Sequence, residues 1–510
     1  MSRINTNVSS LIAQRVLTNN NNNLGLSLER LSTGLRINRG KDDPAGLIAS
    51  ENLRSEKAAL GAAIKNAERA DQVVNIAEGG LTEVSGLLNE LQGLITASAN
   101  TAGLSQEEKE ANQLKIDSIL QTIDRVASAT SFQGTKLLNG NFGYAATDVS
   151  AAVASFKVNG AKLNQGDTRD VEVLVTQSAQ RAGLFLSTAT NAIDLGAGST
   201  FVIEITGSKG SREFSFASGA ALSTIADTIN SFKDVLGVSA ADSGTGLRID
   251  SIEFGEDEFV SVKVSDDGSI VGANVGIYQY ATTDTNTANT TILSTFTAAS
   301  NKVTDSGQDL GATINGIIAT TKGTIARINT DFLDVEIDLS HTLGGGANAQ
   351  ALGAISAFTI TGGGADFQLA GQVDIAGKVS LGIDNVAVRN IGQTDIGGST
   401  RFLADLSSGK SLDVVDGDLS GAQEVVEKAI REVSQLRGRL GAFQQNTVGA
   451  TVRSLSIGLE NTTAAESVIR DADFAFETAD LTRNQILAAS AQQILGLANS
   501  QPQSALQLLG

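Results

Sequence analysis

The sequence predicts a multidomain chain: an all-α coiled-coil helical core formed by its N- and C-terminal segments, with mainly β (α+β) outer domains inserted between them. Three observations lead there. Apolar residues recur at heptad spacing near both ends, and they alternate with polar residues in the middle. Charge is divided along the same boundaries. The 510 residues carry a net charge of −19, and residues 143–418, with 16 basic and 32 acidic side chains, account for −16 of it.

The first arm has Leu24, Leu28, Leu31 and Leu35 at spacings of 4, 3 and 4. Pro44, after Lys41-Asp42-Asp43, reads as a break between two helices. The next run begins at Leu60, Ile64 and Ala67 and continues through Leu81, Val84, Leu88, Leu91 and Ile95. A helix over about residues 45–99 is roughly 80 Å long at 1.5 Å per residue. Ile116, Ile119, Ile123 and Val126 give a third stripe. Toward the other end Val426, Ala429, Val433, Leu436, Leu440, Phe443, Thr447 and Ala450 hold the heptad for seven steps. Such stripes are buried only against partner helices.

The middle alternates instead. Val171–Val175, Phe201–Ile205, Phe259–Val264 and Asp334–Leu339 read as strands of antiparallel sheets, solvated on one face and separated by Gly, Asp, Asn and Ser. Leu222–Phe232 reads as one short helix. Inserting this β region into a rod of two sequence-distant halves gives each heptad segment a partner.

Composition excludes most chemistry. No cysteine rules out disulfides, thiol catalysis and Cys-bearing zinc sites, and a catalytic triad or multi-His metal centre would rest on His341 alone. A pI of 4.6 opposes nucleic-acid binding. No run of 18 apolar residues is present to span a membrane, and Met1–Asn7 lacks the pattern of a Sec-type signal peptide. Ala404–Ser411 approaches a phosphate loop, but its first position is Ala404 and an acidic stretch follows where a helix should open. Glu256-Asp257-Glu258 and Asp266-Asp267 lack calcium-loop spacing. No catalytic, cofactor or metal residues are assigned.

Leu31–Ser50 (LSTGLRINRGKDDPAGLIAS), Ile123–Val126 with Ser131–Leu138, and Ser467–Gly510 resemble the terminal regions of bacterial flagellin. The likeness is collinear over about residues 1–142 and 420–510. Leu222–Asn230 with Gly237-Val238 is similar to an insertion motif of flagellins and hook proteins.

The resemblance implies an extracellular subunit of the flagellar filament, a helical homopolymer for motility. It implies export unfolded through a type III apparatus with a chaperone, and addition next to cap and hook-junction proteins. Residues 1–44 with 465–510 are expected in an inner tube. Residues 45–142 with 419–464 are expected in an outer tube, and 143–418 as surface-exposed domains. The expected polymerisation core is Leu24, Leu28, Leu31, Leu35, Leu81, Val84, Leu88, Leu91, Ile95, Val433, Leu436, Leu440, Ile486, Leu487, Ile494 and Leu497.

The terminal arms, with five consecutive Asn at 19–23, bury too little apolar surface alone and are expected to order only against neighbours. At the positions that the vertebrate toll-like receptor reads in the family, this chain has Glu90, Leu94 and Lys115. Two charges are reversed, so weak recognition is expected. Leu506, Leu508 and Leu509 match leucines presented to the cytosolic inflammasome sensor. The Thr-rich run Thr282–Thr297 reads as a solvated linker, with Ser/Thr glycosylation as the alternative. Alternative readings are a hook–filament junction protein, which shares such ends, and a secreted adhesin.

Overall fold

The structure is a computed structural model describing residues 6–100, 102–164, 166–195, 199–270, 274–279, 291–340, 352–396 and 398–507, with side chains to 501. His341, Leu508, Leu509, most of the Thr-rich run and the side chain of Leu506 lie outside the described residues. The chain forms two compact units. One comprises Met1–Asn75, Phe367–Lys378 and Gly438–Gly510, and the other Ile76–Asp366 and Val379–Arg437.

Helix α1 (Val8–Thr33) starts where the Asn7 side chain accepts from the Ser10 N–H, a cap that satisfies one of the free donors of the first turn. It stops at Gly34, whose φ of 73° suits a left-handed cap that a Cβ would disfavour. Helix α2 (Pro44–Ser98) opens on the proline, as a first helical position allows. Helix α3 (Gln106–Ala129) has a complete capping box between Ser105 and Glu108. Two short helices, α4 (Leu222–Asn230) and α5 (Lys233–Leu236), lie in the middle. Helices α6 (Leu419–Ala442), α7 (Gly449–Arg470) and α8 (Phe474–Gln507) close the chain.

In the larger unit the heptad stripes are buried: Leu81, Val84, Leu88, Leu91 and Ile95 on α2, Ile116, Ile119 and Ile123 on α3, and Val426, Ala429, Val433 and Leu436 on α6. Polar ties fix these helices. Arg437 pairs with Glu78 at 2.8 Å, and the Asn112 amide donates to Ser98 at 3.1 Å. Leu440 and Phe443, in the smaller unit, are also buried.

The expected heptad then fails. A π turn at Phe443–Val448 inserts one residue into the helical repeat, so Val448 is buried while Thr447 is half-buried and Ala450 exposed. Gln444 holds the turn with bonds to Asp71 at 3.1 Å and Asn75 at 2.9 Å.

The middle contains two apolar cores, each bounded by a five-stranded and a four-stranded antiparallel sheet. The first core includes Val173, Ile314, Val335 and Phe358. Its sheets are centred on strand Arg169–Gln177 and on the pair Ile325–Asn329 and Leu333–Leu339. The second, within residues 182–299, gathers Leu184, Ile203, Ile229 and Val262, with α4 covering it. The second is nested in the first: the chain leaves and returns beside itself, where Gln180 and Gln308 exchange backbone hydrogen bonds of 2.8 and 2.9 Å. The strands expected from alternation all form, and the expected single helix at Leu222–Phe232 ends at Asn230.

The phosphate-loop look-alike is a structural brace. Leu403–Leu406 is a 3-10 turn, and Leu412 and Val414 beyond it are buried. The buried Gln113 amide of α3 donates to the Leu406 carbonyl at 2.9 Å and accepts from the Val414 N–H at 2.9 Å. Asp117 accepts from the Ser408 N–H at 3.0 Å, and Asp124 accepts from the Val388 N–H at 3.0 Å. Residues 388–414 are thereby stapled to α3 by side chains whose carboxylates and amide replace water at backbone groups.

Candidate polymerisation surface

Helices α1 and α8 lie side by side through their small residues. Ala13, Ser27, Ala488, Ala491 and Ala498 are buried here, and small side chains let two backbones approach closely. The approach is marked by cross-arm hydrogen bonds: Asn7 to the Ala498 carbonyl at 2.7 Å, Ser10 to Asn499 at 2.6 Å, and Asn484 to Ser27 at 3.2 Å. Asn20, from the Asn run, donates to the Leu487 carbonyl at 3.2 Å. Arg30 pairs with the buried Glu477 at 2.9 Å. Where the arms turn, Arg36 N–H donates to the Arg470 carbonyl at 2.7 Å and Ala472 N–H to that of Gly34 at 2.9 Å.

Both arms are helical and pair with each other through these Ala/Ser faces. The leucines lie elsewhere. Leu28 is exposed, and Leu24, Leu31 and Leu35 are half-buried. Ile486 is 62 % exposed, Ile494 57 % and Leu497 64 %, with Leu487 beside them. Sequence reasoning missed further members of this surface: Val8, Leu11, Ile12 and Val16 on α1, and Phe474 and Phe476 at the start of α8. Their signal was present, since α8 has apolar residues around most of its circumference. A helix apolar all round is normally buried on all sides. Alone, this chain covers one side only, and contiguous exposed apolar surface marks an interaction site.

The remaining expected residues divide in two. Leu81, Val84, Leu88, Leu91, Ile95, Val433, Leu436 and Leu440 are buried within the chain. They are therefore packed inside the chain rather than presented at its surface. Glu90 and Lys115 are exposed and Leu94 is half-buried. Among the described residues no cluster of His, Cys, Asp or Glu could hold a metal, and no helix is long and apolar enough to cross a membrane. Asp257 is occupied by Lys322 at 3.1 Å, and Asp266 and Asp267 accept from the turn N–H groups of Gly268 and Ser269.

Family models for the bacterial flagellin N-terminal and C-terminal helical regions match residues 4–143 and 423–509. Among curated proteins, flagellin B of Helicobacter pylori is 27 % identical over 535 residues, covering 99 % of each chain. Polar flagellin B/D of Vibrio parahaemolyticus is 26 % identical over 510 residues, again covering 99 % of each. Among solved structures, FliC from Burkholderia pseudomallei matches 74 % of this chain and 99 % of its own length, with 14 % identity and a TM-score of 0.22.

Proposed function

The chain belongs to the bacterial flagellin family, and on that premise we propose that the exposed apolar faces of α1 and α8 are the surfaces through which it polymerises. It is a subunit of the extracellular flagellar filament, and its family is a structural one. The observation that carries the proposal is the exposure of Ile486, Ile494 and Leu497 on a helix already paired through its alanines. Burying each such side chain is worth roughly 1.5–3 kcal/mol, so repeated contacts between copies supply a large driving force. Head-to-tail contacts that do not close generate an open helical array.

In this reading residues 1–44 with 465–510 line the inner tube, 45–142 with 419–464 the outer tube, and 143–418 face outward. Leu24, Leu28, Leu31 and Leu35 complete the surface begun by α8. Leu81 to Ile95 and Val433 to Leu440 stiffen the wall. The chain performs no catalysis. The cap, hook-junction proteins and an export chaperone are its partners at the growing end and before export, as the family resemblance implies. Reversed charges at Glu90 and Lys115 make innate-receptor stimulation weak, and the terminal leucines Leu506, Leu508 and Leu509 are the segment offered to the inflammasome sensor.

Ile494→Asp tests the proposal, with Leu31→Asp as a second variant. Each abolishes filaments seen by electron microscopy under polymerising conditions, while thermal unfolding of the two β cores is unchanged. Normal filaments from either folded variant overturn it.

A further inference from the structure

Helix α7 is open along one face: Thr462 is its buried residue, while Ile457 is 60 % exposed and Val468 83 %. Arg453, Ile457, Asn461, Ala464 and Val468 follow one another at i, i+4, i+8, i+11 and i+15, which places them on one face of the helix, and all are exposed. The face carries Ile457, Ala464 and Val468, interrupted by Asn461, and begins at a cation.

The same unit contains a groove of about 820 Å³. Its floor is the face of α2 carrying Asn52, Ser55 and Ala59, continuous with the exposed Ile48 four residues before Asn52. Its wall is the loop 370–377, which is rigidly braced. Gly377 N–H donates to Asp374 at 2.6 Å, Leu369 N–H to the Gly377 carbonyl at 2.9 Å, and Asn66 to the Gln368 carbonyl at 3.3 Å. Gly371 lies so close to α2 that a Cβ there would sit 3.4 Å from that of Ala59. This bracing holds Val373 out at the rim, 92 % exposed. Two carboxylates, Glu56 and Asp374, line the groove and are exposed.

We propose that this groove receives the α7 stripe of a second copy of the chain, with Ile457 and Val468 entering beside Val373 and Arg453 facing Glu56 and Asp374. The fit rests on complementary charge, on apolar surface left uncovered on both partners, and on the different identity of the two faces. A groove on one copy and a stripe on the next make a heterologous contact, the kind that propagates rather than closes. The proposal deepens the filament-subunit reading and rests on it.

The chain has no cysteine, so single ones can be placed without background. Copies carrying Ser55→Cys are mixed with copies carrying Ala464→Cys, polymerised, and treated with a short bismaleimide. Mixed filaments yield a cross-linked dimer on a denaturing gel, and each variant polymerised alone yields none. Filaments visible by electron microscopy that give no mixed dimer overturn the groove contact and leave the subunit reading intact. Failure of the unaltered chain to form filaments overturns the subunit reading itself. In parallel, Ile457→Asp and Val468→Asp lower seeded elongation about ten-fold or more, as loss of a central apolar anchor does, at unchanged helicity by circular dichroism. Elongation of the folded variants at the unaltered rate also overturns the contact.

Discussion

Asp250 is the side chain whose environment most contradicts its ordinary chemistry. It is buried on strand Gly246–Ser251 against Arg248 at 2.5 Å, and burial pushes its carboxyl up from 3.8 to about 6 despite Arg248 and Arg181 nearby. Asp305, half-buried and accepting from the Gly183 N–H at 2.8 Å, is raised by the same partial desolvation. A carboxyl raised in the folded state contributes stability that is fully present below its unfolded value and lost as pH climbs through the folded one. The nested β core therefore melts at higher temperature at pH 5 than at pH 7. Asp250→Asn flattens that dependence, and calorimetry at the two pH values checks it. Gln113 is a second single-residue case. Gln113→Ala orphans the Leu406 carbonyl and the Val414 N–H, at about 1–3 kcal/mol for each group, read as a lower denaturation midpoint. Neither residue was legible in the sequence, because a buried Asp or Gln looks like a surface one until its neighbours are known.

At the scale of elements the helical arms and walls were the most legible part. Leu81 to Ile95 and Val433 to Leu440 were assigned to a seam by spacing alone, and all are buried. Leu436→Ala at that seam costs about 2–5 kcal/mol, as cavity-forming changes in packed cores do, and is measured by urea unfolding of the full chain. The heptad misled at one place. Past Phe443 the π turn shifts the repeat, a local insertion that periodicity counted from one side does not register. On α1 and α8 the seam between the arms is formed by Ala13, Ser27, Ala488, Ala491 and Ala498, which the leucine spacing did not point to. Small residues carry weak periodic signals but permit the closest backbone approach, so geometry selects them over hydrophobicity.

For the whole molecule, the nested arrangement predicts modularity. The chain enters and leaves residues 182–306 through the paired Gln180 and Gln308, so removing that block leaves two ends already adjacent. Insertions and excisions at such sites are tolerated because few contacts cross them. Replacing 182–306 with a short Gly-Ser linker leaves the first β core folded and filaments visible by electron microscopy. It also removes the pH-dependent transition assigned to Asp250. Loss of polymerisation in this variant would show that the nested core contributes to assembly.

By itself the sequence determined the division of the chain, the helical character of its ends and the β character of its acidic middle. Each of these follows from composition or from a period of 3.5 or 2, which are local properties that neighbours do not alter. Only the tertiary structure decided which apolar residues are spent inside the chain and which remain exposed. Leu88 and Ile494 are indistinguishable as letters in a repeat, yet one is sealed between helices and the other is open to solvent. That difference depends on what packs against each helix face, and burial is set by partners distant in sequence.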